Sequence, residues 1–171
     1  VIGQMMEKVV LPEPRPRRTE AEILEQCPWA ATGCKGRKPN VITSLELDPA
    51  VMEQRNIHLQ NKYAEIEANE RRYEEIECED AEYLIIAFGS CARIAQKAME
   101  HAREEGIKVG LFRPITLWPF PTPEIANRAK QVKGILVVEL NSGQMIEDVK
   151  LAVECKVPVH HFGRLGGIVP D

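Results

Sequence analysis

The sequence predicts a three-layer α/β/α fold: a five-stranded, mostly parallel sheet with one antiparallel edge strand, preceded by an N-terminal linker and a helix. Two observations predict it. Short apolar runs alternate with helix-like stretches from residue 82 to residue 145, which is the order of βαβ units. These runs are almost wholly apolar rather than alternating, which is typical of parallel strands covered by helices on both faces.

The parallel strands are predicted from three apolar runs and from a last strand near the end of the chain. They are Glu82–Phe88, Lys108–Phe112, Gly134–Leu140 and Val157–Phe162. Helices are predicted between them, from about Ala92 to Glu105, after Thr122-Pro123, and from about Gln144 to Cys155.

The antiparallel edge strand is predicted at Tyr73–Cys78, where the apolar period shortens. Only three residues separate this strand from Glu82. So short a connection permits an antiparallel neighbour and excludes a parallel crossover.

The residues before the sheet predict an arm with little core of its own. Alternating prolines make Leu11–Arg18 an extended linker. Thr19–Gln26 is predicted to form a short helix capped by Thr19, and Val41–Leu47 a short edge strand. Asp48-Pro49 predicts the start of a long polar helix that runs to about Arg71.

The long polar helix carries one narrow apolar stripe. Its members are Met52, Leu59, Tyr63 and Ile66. So narrow a stripe covers a neighbouring surface rather than filling a core. Two interpretations stay open: the helix lies along its own domain, or it contacts a partner subunit.

The pattern predicts three segments. Residues 1–10 have the spacing of an amphipathic helix without a cap and are expected to be the end of a preceding domain, so that the chain is a fragment. Residues 11–72 form the linker, loop and polar helix. Residues 73–171 form the α/β domain.

Composition excludes several classes of function. The net charge is −4 and there is no long basic cluster, so we expect no nucleic-acid partner. No apolar run is long enough to span a membrane. The five cysteines are widely spaced and odd in number, which predicts reduced thiols in the cytoplasm. The pair Cys27 and Cys34 lacks further ligands at zinc-like spacing, so no metal site is expected.

Gly89-Ser90 stands where a strand ends and a helix begins. Free backbone N–H groups at such a place can bind a small anion. Alternatively, Ser90 only caps the helix, which is the interpretation that we favour. Cys91 lies in the first helical turn, where a thiolate would be stabilised, but His101 on the same helix cannot reach it as a base.

Two loops follow strand ends and are expected to share one edge of the sheet. Arg113–Pro121 holds three prolines and two large aromatic side chains, whereas Asn141–Gln144 is polar and contains a glycine. No acid–base pair or nucleophile stands between them, so they suit a contact surface better than a catalytic pocket. The candidate interface residues are Arg113, Trp118, Phe120, Asn141 and Gln144.

Two stretches carry a family resemblance. FGSCARIAQKAMEHAREEGIKVGLFRPITLWPFP and VVELNSGQM resemble the transketolase C-terminal-like domain, as it occurs in the α subunit of 2-oxoacid:ferredoxin oxidoreductases. The resemblance extends from about Asp80 to Val169, roughly half of the chain. It also implies the antiparallel strand at the sheet edge.

The resemblance implies a multi-subunit enzyme of anaerobic metabolism that depends on thiamine diphosphate. Such enzymes decarboxylate a 2-oxoacid oxidatively, form an acyl-CoA and reduce ferredoxin through iron–sulfur clusters. Similar domains serve architecture and subunit contact, so the partners would be the rest of the α subunit and the other subunits.

The ligand motifs of that enzyme are missing here. The sequence has neither a Gly-Asp-Gly…Asn segment nor a cysteine cluster of iron–sulfur spacing, so we expect no catalytic, cofactor-binding or metal residues in this chain. Thiamine diphosphate, Mg²⁺ and the clusters would be held elsewhere. Pyruvate, 2-oxoglutarate and branched-chain 2-oxoacids all stay open as substrates. The alternative is a free-standing α/β module that binds a small anion at Gly89-Ser90.

Overall fold

The structure is a computed structural model that describes residue 11 and residues 13–168. The described residues fall into two compact units, one ending at Gln60 and one beginning at Asn61. The predicted end of a preceding domain, residues 1–10, lies outside the described residues.

The first unit contains helix α1, Glu20–Gln26, and the beginning of helix α2, Pro49–Asn69. The predicted caps are confirmed. Thr19 Oγ1 accepts a hydrogen bond from the N–H of Glu22, and the Glu22 carboxylate accepts one from the N–H of Thr19. At α2, Asp48 Oδ1 accepts a hydrogen bond from the N–H of Ala50 at 2.8 Å.

The predicted strand at Val41–Leu47 is wrong: this segment forms no strand. A strand needs a neighbour that accepts its backbone hydrogen bonds. Here Thr43 Oγ1 accepts a bond from the N–H of Leu45 within the same segment instead. The β-branched residues therefore raise the strand propensity of this segment, but it has no neighbouring strand to pair with among the described residues.

The second unit contains the five-stranded sheet. Its strands are β1 Tyr73–Ile76, β2 Tyr83–Ala87, β3 Val109–Pro114, β4 Gly134–Glu139 and β5 Val159–Gly163. Their order across the sheet is β1-β3-β2-β4-β5. Strand β1 pairs with β3 antiparallel, and the other neighbours pair parallel. The predicted fold class is confirmed.

Three helices cover this sheet. They are α3 Gly89–Glu104, α4 Thr122–Ala129 and α5 Met145–Val153. Alternate strand residues point to opposite faces, so Ile85 packs under α3 whereas Ile86 packs with α4 and α5. The sheet therefore separates two cores, one on each face.

Several element ends differ from the prediction. Helix α3 begins at Gly89, earlier than Ala92. Helix α5 ends at Val153, because Glu154 and Cys155 have positive φ angles of 51° and 57° that no longer continue a right-handed helix. Strand β5 begins at Val159, after Pro158, which has no N–H to donate.

Two arginines hold the connection between β1 and β2 against the sheet. Arg103 of α3 donates to the carbonyl oxygen of Glu77 and to Asp80 Oδ1, both at 2.7 Å. Arg128 of α4 donates to both carboxylate oxygens of Glu75 in β1 and to the carbonyl oxygen of Cys78 in the connection. Helices on both faces thus fix the antiparallel edge strand.

Candidate functional site

The two predicted contact loops lie at the same edge of the sheet. The predicted loop 113–121 begins with the last two residues of β3 and continues beyond it, and the loop 141–144 follows β4; both strands run parallel to β2. Because β2 lies between β3 and β4, Gly89-Ser90 at the end of β2 separates the two loops. We call this edge, with its two loops, the rim.

The loop after β3 exposes an aromatic side chain that is held from one side. The Trp118 residue is 54% exposed, and its ring contacts that of Tyr63 edge to face, with 5.6 Å between the centroids. Thr116 Oγ1 donates to the carbonyl oxygen of Pro119 at 2.9 Å and so closes the loop on itself. The Trp118 side chain is therefore held in a fixed position on the surface of the free chain. Phe120 is half-buried against the core.

Arg113 is not free at the rim. Its guanidinium group donates to Glu74 Oε2 at 2.8 Å, across the β1–β3 pair. The pairing supports the edge strand, and a partner would have to compete with Glu74 for this cation.

The loop after β4 is organised by Glu139, a residue that the sequence analysis did not single out. Its carboxylate is buried, with 1% of the residue exposed. It accepts hydrogen bonds from the N–H groups of Gln144, Met145 and Ile146, at distances of 2.8–3.3 Å. A carboxylate is stabilised at a helix N-terminus by these free donors and by the helix dipole.

Neither Asn141 nor Ser142 caps α5 with its side chain. Asn141 instead shapes the loop: its Oδ1 accepts from the N–H of Gly143 at 2.7 Å, and its Nδ2 donates to Glu139 Oε1 at 3.2 Å. The Gln144 side chain makes no capping bond. Glu139 caps α5 instead, because its longer, buried side chain reaches the first turn of the helix from the end of β4.

The interpretation of Ser90 as a helix cap is also wrong. Helix α3 is preceded by Phe88, in an extended conformation and without a side-chain cap, and Ser90 is the second helical residue. Gly89 opens the helix with a φ angle of 54°, which glycine adopts most readily. The turn from β2 into α3 therefore depends on glycine rather than on a serine cap.

Strand β5 adds His161 and Gly163 to the rim. Nε2 of His161 lies 3.7 Å from Glu139 Oε2. A Cβ atom added at Gly163 would clash with the carbonyl oxygen of Asn141, so the strand and the loop pass each other here too closely for any side chain. His160 lies on the opposite face, among apolar residues. Adjacent residues of a strand point to opposite faces, so β5 presents its two histidines on the two sides of the sheet.

The cysteines near the sheet are poor nucleophiles. Cys91 is buried, and burial, with a further contribution from Glu139, raises the pKa of its thiol. The expectation that the first helical turn would stabilise its thiolate is therefore wrong. Burial, followed by the charge of Glu75, raises the pKa of Cys78 to about 11. Among the described residues, no three His, Cys, Asp or Glu side chains converge to form a metal site.

In the described part of the chain, no helix combines the length and apolarity that a membrane crossing requires.

Comparison with known proteins decides the family. Residues 81–171 match the profile of pyruvate:ferredoxin oxidoreductase core domain II, which is more than half of the chain. The chain belongs to this family. The resemblance to the 2-oxoacid:ferredoxin oxidoreductases is confirmed, and the anion-binding module at Gly89-Ser90 is not favoured.

Two curated relatives come from Methanothermobacter marburgensis. The ketoisovalerate oxidoreductase subunit VorB is 43% identical over 167 residues, which are 98% of this chain and 46% of VorB. The 2-oxoglutarate synthase subunit KorA is 35% identical over 95 residues, which are 54% of this chain and 25% of KorA. The chain thus spans less than half the length of these relatives.

One solved structure extends the match to the fold. It is the 2-oxoglutarate:ferredoxin oxidoreductase from Magnetococcus marinus, with 2-oxoglutarate, coenzyme A and succinyl-CoA bound. The TM-score is 0.66 at 25% identity, over 81% of this chain and 26% of that one.

Proposed function

We propose that this chain is a non-catalytic subunit-contact domain of a cytoplasmic 2-oxoacid:ferredoxin oxidoreductase that depends on thiamine diphosphate. The parent enzyme would convert a 2-oxoacid and CoA to an acyl-CoA and pass electrons to ferredoxin. The match to VorB over 98% of the chain carries the proposal. Since the match to KorA covers only 54% of the chain, a branched-chain 2-oxoacid such as ketoisovalerate is the favoured substrate.

The donor groups at the rim do not fit a metal-bound diphosphate. Such a group needs free oxygen ligands for Mg²⁺. Glu139, the buried carboxylate at this edge, is committed to the backbone of α5. The arginine of the rim, Arg113, is paired with Glu74. We therefore infer that thiamine diphosphate, Mg²⁺ and the iron–sulfur clusters are held by other parts of the parent enzyme.

The rim is the surface that we propose for contact with the rest of the α subunit or a neighbouring subunit. Trp118 offers an exposed aromatic anchor that Tyr63 holds in place. The loop containing Asn141 offers polar groups whose backbone is fixed by Glu139. Trp is among the side chains that most often contribute large binding energies at interfaces, which favours Trp118 as the anchor of this surface.

Native mass spectrometry of the purified parent enzyme tests the proposal. The chain should be found in a complex with further oxidoreductase subunits, and that complex should reduce ferredoxin with ketoisovalerate more efficiently than with 2-oxoglutarate. A monomer without such subunits would contradict the proposed function, whereas a preference for 2-oxoglutarate would contradict only the substrate.

Variants of the rim test the contact surface within the same enzyme. Trp118→Ala should weaken subunit binding by ~2 kcal/mol, roughly thirtyfold in dissociation constant, because the interface would lose an aromatic anchor that it buries. Asn141→Ala should weaken it less. The matched control is Leu151→Ala, which truncates a residue that is 76% exposed on α5, away from the rim.

The result is clear if the variant chains are also studied alone. Circular dichroism should show that both rim variants still fold. If Trp118→Ala instead unfolds the isolated chain while Asn141→Ala leaves the complex unchanged, the loop belongs to the domain's own core and the contact surface is refuted.

A further inference from the structure

One face of the sheet is only partly covered. Between β4 and β5, α5 and its neighbours bury Ile135 and Val137 to 1% and 0% exposure. On the opposite face, which α3 covers, Leu136 is 37% exposed although it lies between two buried residues in sequence. Parallel strands are normally buried on both faces, so this exposure is unusual.

The exposed area continues onto β5. Phe162 is 39% exposed and lies beside Val138, whose side chain belongs to the core under α3. His160 lies beside Leu136 in the same register. The hollow at the amino end of this face measures ≈ 450 Å³, and most of the side chains that line it are apolar.

Helix α3 borders this area with small apolar side chains. Its buried residues Ala95 and Met99 face the sheet, and Gln96 lies in a hollow beside β1 and β3. At 3.6 residues per turn, Ile94 and Ala98 fall on the other flank, above β4. Ala98 is exposed and Ile94 is half-buried, so a neighbouring helix could approach α3 closely.

We propose that this open face, formed by Ile94, Ala98, Leu136, His160 and Phe162, binds an amphipathic α-helix from a part of the parent enzyme outside this chain. Two strands span about 10 Å, which matches the diameter of one α-helix with its side chains. The helix would lie beside α3 and complete the layer that α3 begins.

The length of the relatives supports this occupant. The chain covers 46% of VorB and 26% of the matched Magnetococcus marinus chain, so most of each protein lies outside the matched segment. The inference rests on the proposed function, because it takes the helix from that enzyme.

A second copy of this chain fits the face less well. Helix α3 is the element that a second copy would bring to it by symmetry. The outer side of α3 carries Lys97, Glu100, His101 and Glu104, of which Lys97 and Glu100 pair with each other. Placing these charges on an apolar floor would require their desolvation.

Site-specific thiol labelling tests the proposal. Ala98→Cys and Phe162→Cys place thiols on the open face. The control is Leu151→Cys on α5, at a position where the native leucine is 76% exposed. Each variant is treated with a maleimide, both as the isolated chain and within the parent enzyme, and labelling at each position is followed by peptide mass spectrometry. This readout separates the new thiols from the native ones. Ala98→Cys changes an exposed helical residue, so it reports even if Phe162→Cys disturbs folding.

Both open-face thiols should react roughly tenfold or more slowly in the parent enzyme than in the isolated chain, because their labelling would require local opening. The Leu151→Cys thiol should react at similar rates in both. A photo-activated cross-linker attached at position 98 should then capture a peptide from outside this chain with apolar residues at helical spacing.

Other outcomes overturn the inference. Fast labelling of both open-face thiols in the assembled enzyme refutes the helix and leaves the proposed function intact. Slow labelling in the isolated chain that becomes fast on dilution identifies a second copy as the occupant, which also refutes it. If the chain does not enter the complex at all, the proposed function fails and this inference fails with it.

Discussion

Glu139 shows at the scale of one residue how the rim is fixed. The residue is 1% exposed, and its carboxylate accepts hydrogen bonds from three backbone N–H groups in the turn that begins α5. These donors have no partner within the helix, and leaving such groups unsatisfied in the interior is costly. The side chain at the end of β4 therefore sets where α5 starts and how the loop at Asn141 is held.

We predict that Glu139→Gln lowers the free energy of unfolding by ~2 kcal/mol. Glutamine keeps the shape but loses the charge, and its NH₂ group would face N–H donors. Urea unfolding of the isolated chain, followed by circular dichroism, measures the change.

Glu147→Gln is the matched control for this prediction. Glu147 lies in the first turn of the same helix, but its side chain is 70% exposed and pairs with the surface residue Lys150. Its substitution should change the stability by no more than about 0.5 kcal/mol. Equal effects of the two substitutions would show that Glu139 acts only through the helix dipole and not as a buried cap.

Gly110 shows at the scale of an element why the edge strand lies where it does. The connection from β1 to β2 crosses β3 at this residue, and a Cβ atom added there would lie 2.9 Å from both the Cα atom of Cys78 and the carbonyl oxygen of Glu77. Both contacts are with backbone, which cannot move aside as a flexible side chain can. Arg103 and Arg128 hold the same connection from the two faces.

We therefore predict that Gly110→Ala destabilises the chain by ~2 kcal/mol, through displacement of the β1–β2 connection. Thermal unfolding measures the loss of stability. The near-ultraviolet circular dichroism of Tyr73, which stacks on Phe112, reports the displacement of the edge strand. The control is Gly134→Ala in β4, where the nearest atom would lie at 3.8 Å, an ordinary contact. A loss of stability as large at position 134 would mean that the close crossing is not the cause.

The elements that the sequence predicted correctly are those whose signal is local. Uninterrupted apolar runs mark β2, β3 and β4, and Asp48-Pro49 marks the start of α2, because burial and capping act on neighbouring residues. The three-residue connection before Glu82 predicted an antiparallel edge strand, and that strand is present, but its neighbour is β3 rather than the β2 that the short connection indicated.

The errors arise where the local structure is determined by contacts between residues that are distant in sequence. Val41–Leu47 had strand propensity but no partner strand, which only the folded chain can reveal. Ser90 was a plausible cap by type, yet Gly89 determines that turn; likewise the buried Glu139, at the end of β4, determines the turn before α5. One signal for Glu139 was present: an acid at the end of an otherwise apolar strand must have a partner.

At the scale of the whole chain, the sheet and α2 differ in how much of each is buried. Strand β2 has four buried residues out of five, whereas α2 has no buried residue along its 21. Stability within a protein varies with burial, and helices without a packed face are marginal in water. We predict that, in the isolated chain, the amides of Met52–Ile66 exchange with solvent much faster than those of Leu84–Ala87.

Hydrogen exchange followed by mass spectrometry measures this difference directly. The amides of β2 should exchange only through global unfolding, while those of α2 should exchange through local opening, because its half-buried residues Met52, Leu59 and Ile66 form only a narrow stripe. The experiment is run at two protein concentrations, since pairing between copies would protect the stripe only at the higher one. Equal protection of both segments at the lower concentration would show that α2 is part of the stable unit, and that its stripe is already satisfied without a partner subunit. Protection that rises in α2 alone when the parent enzyme assembles would instead identify the stripe as a second surface of subunit contact, separate from the rim.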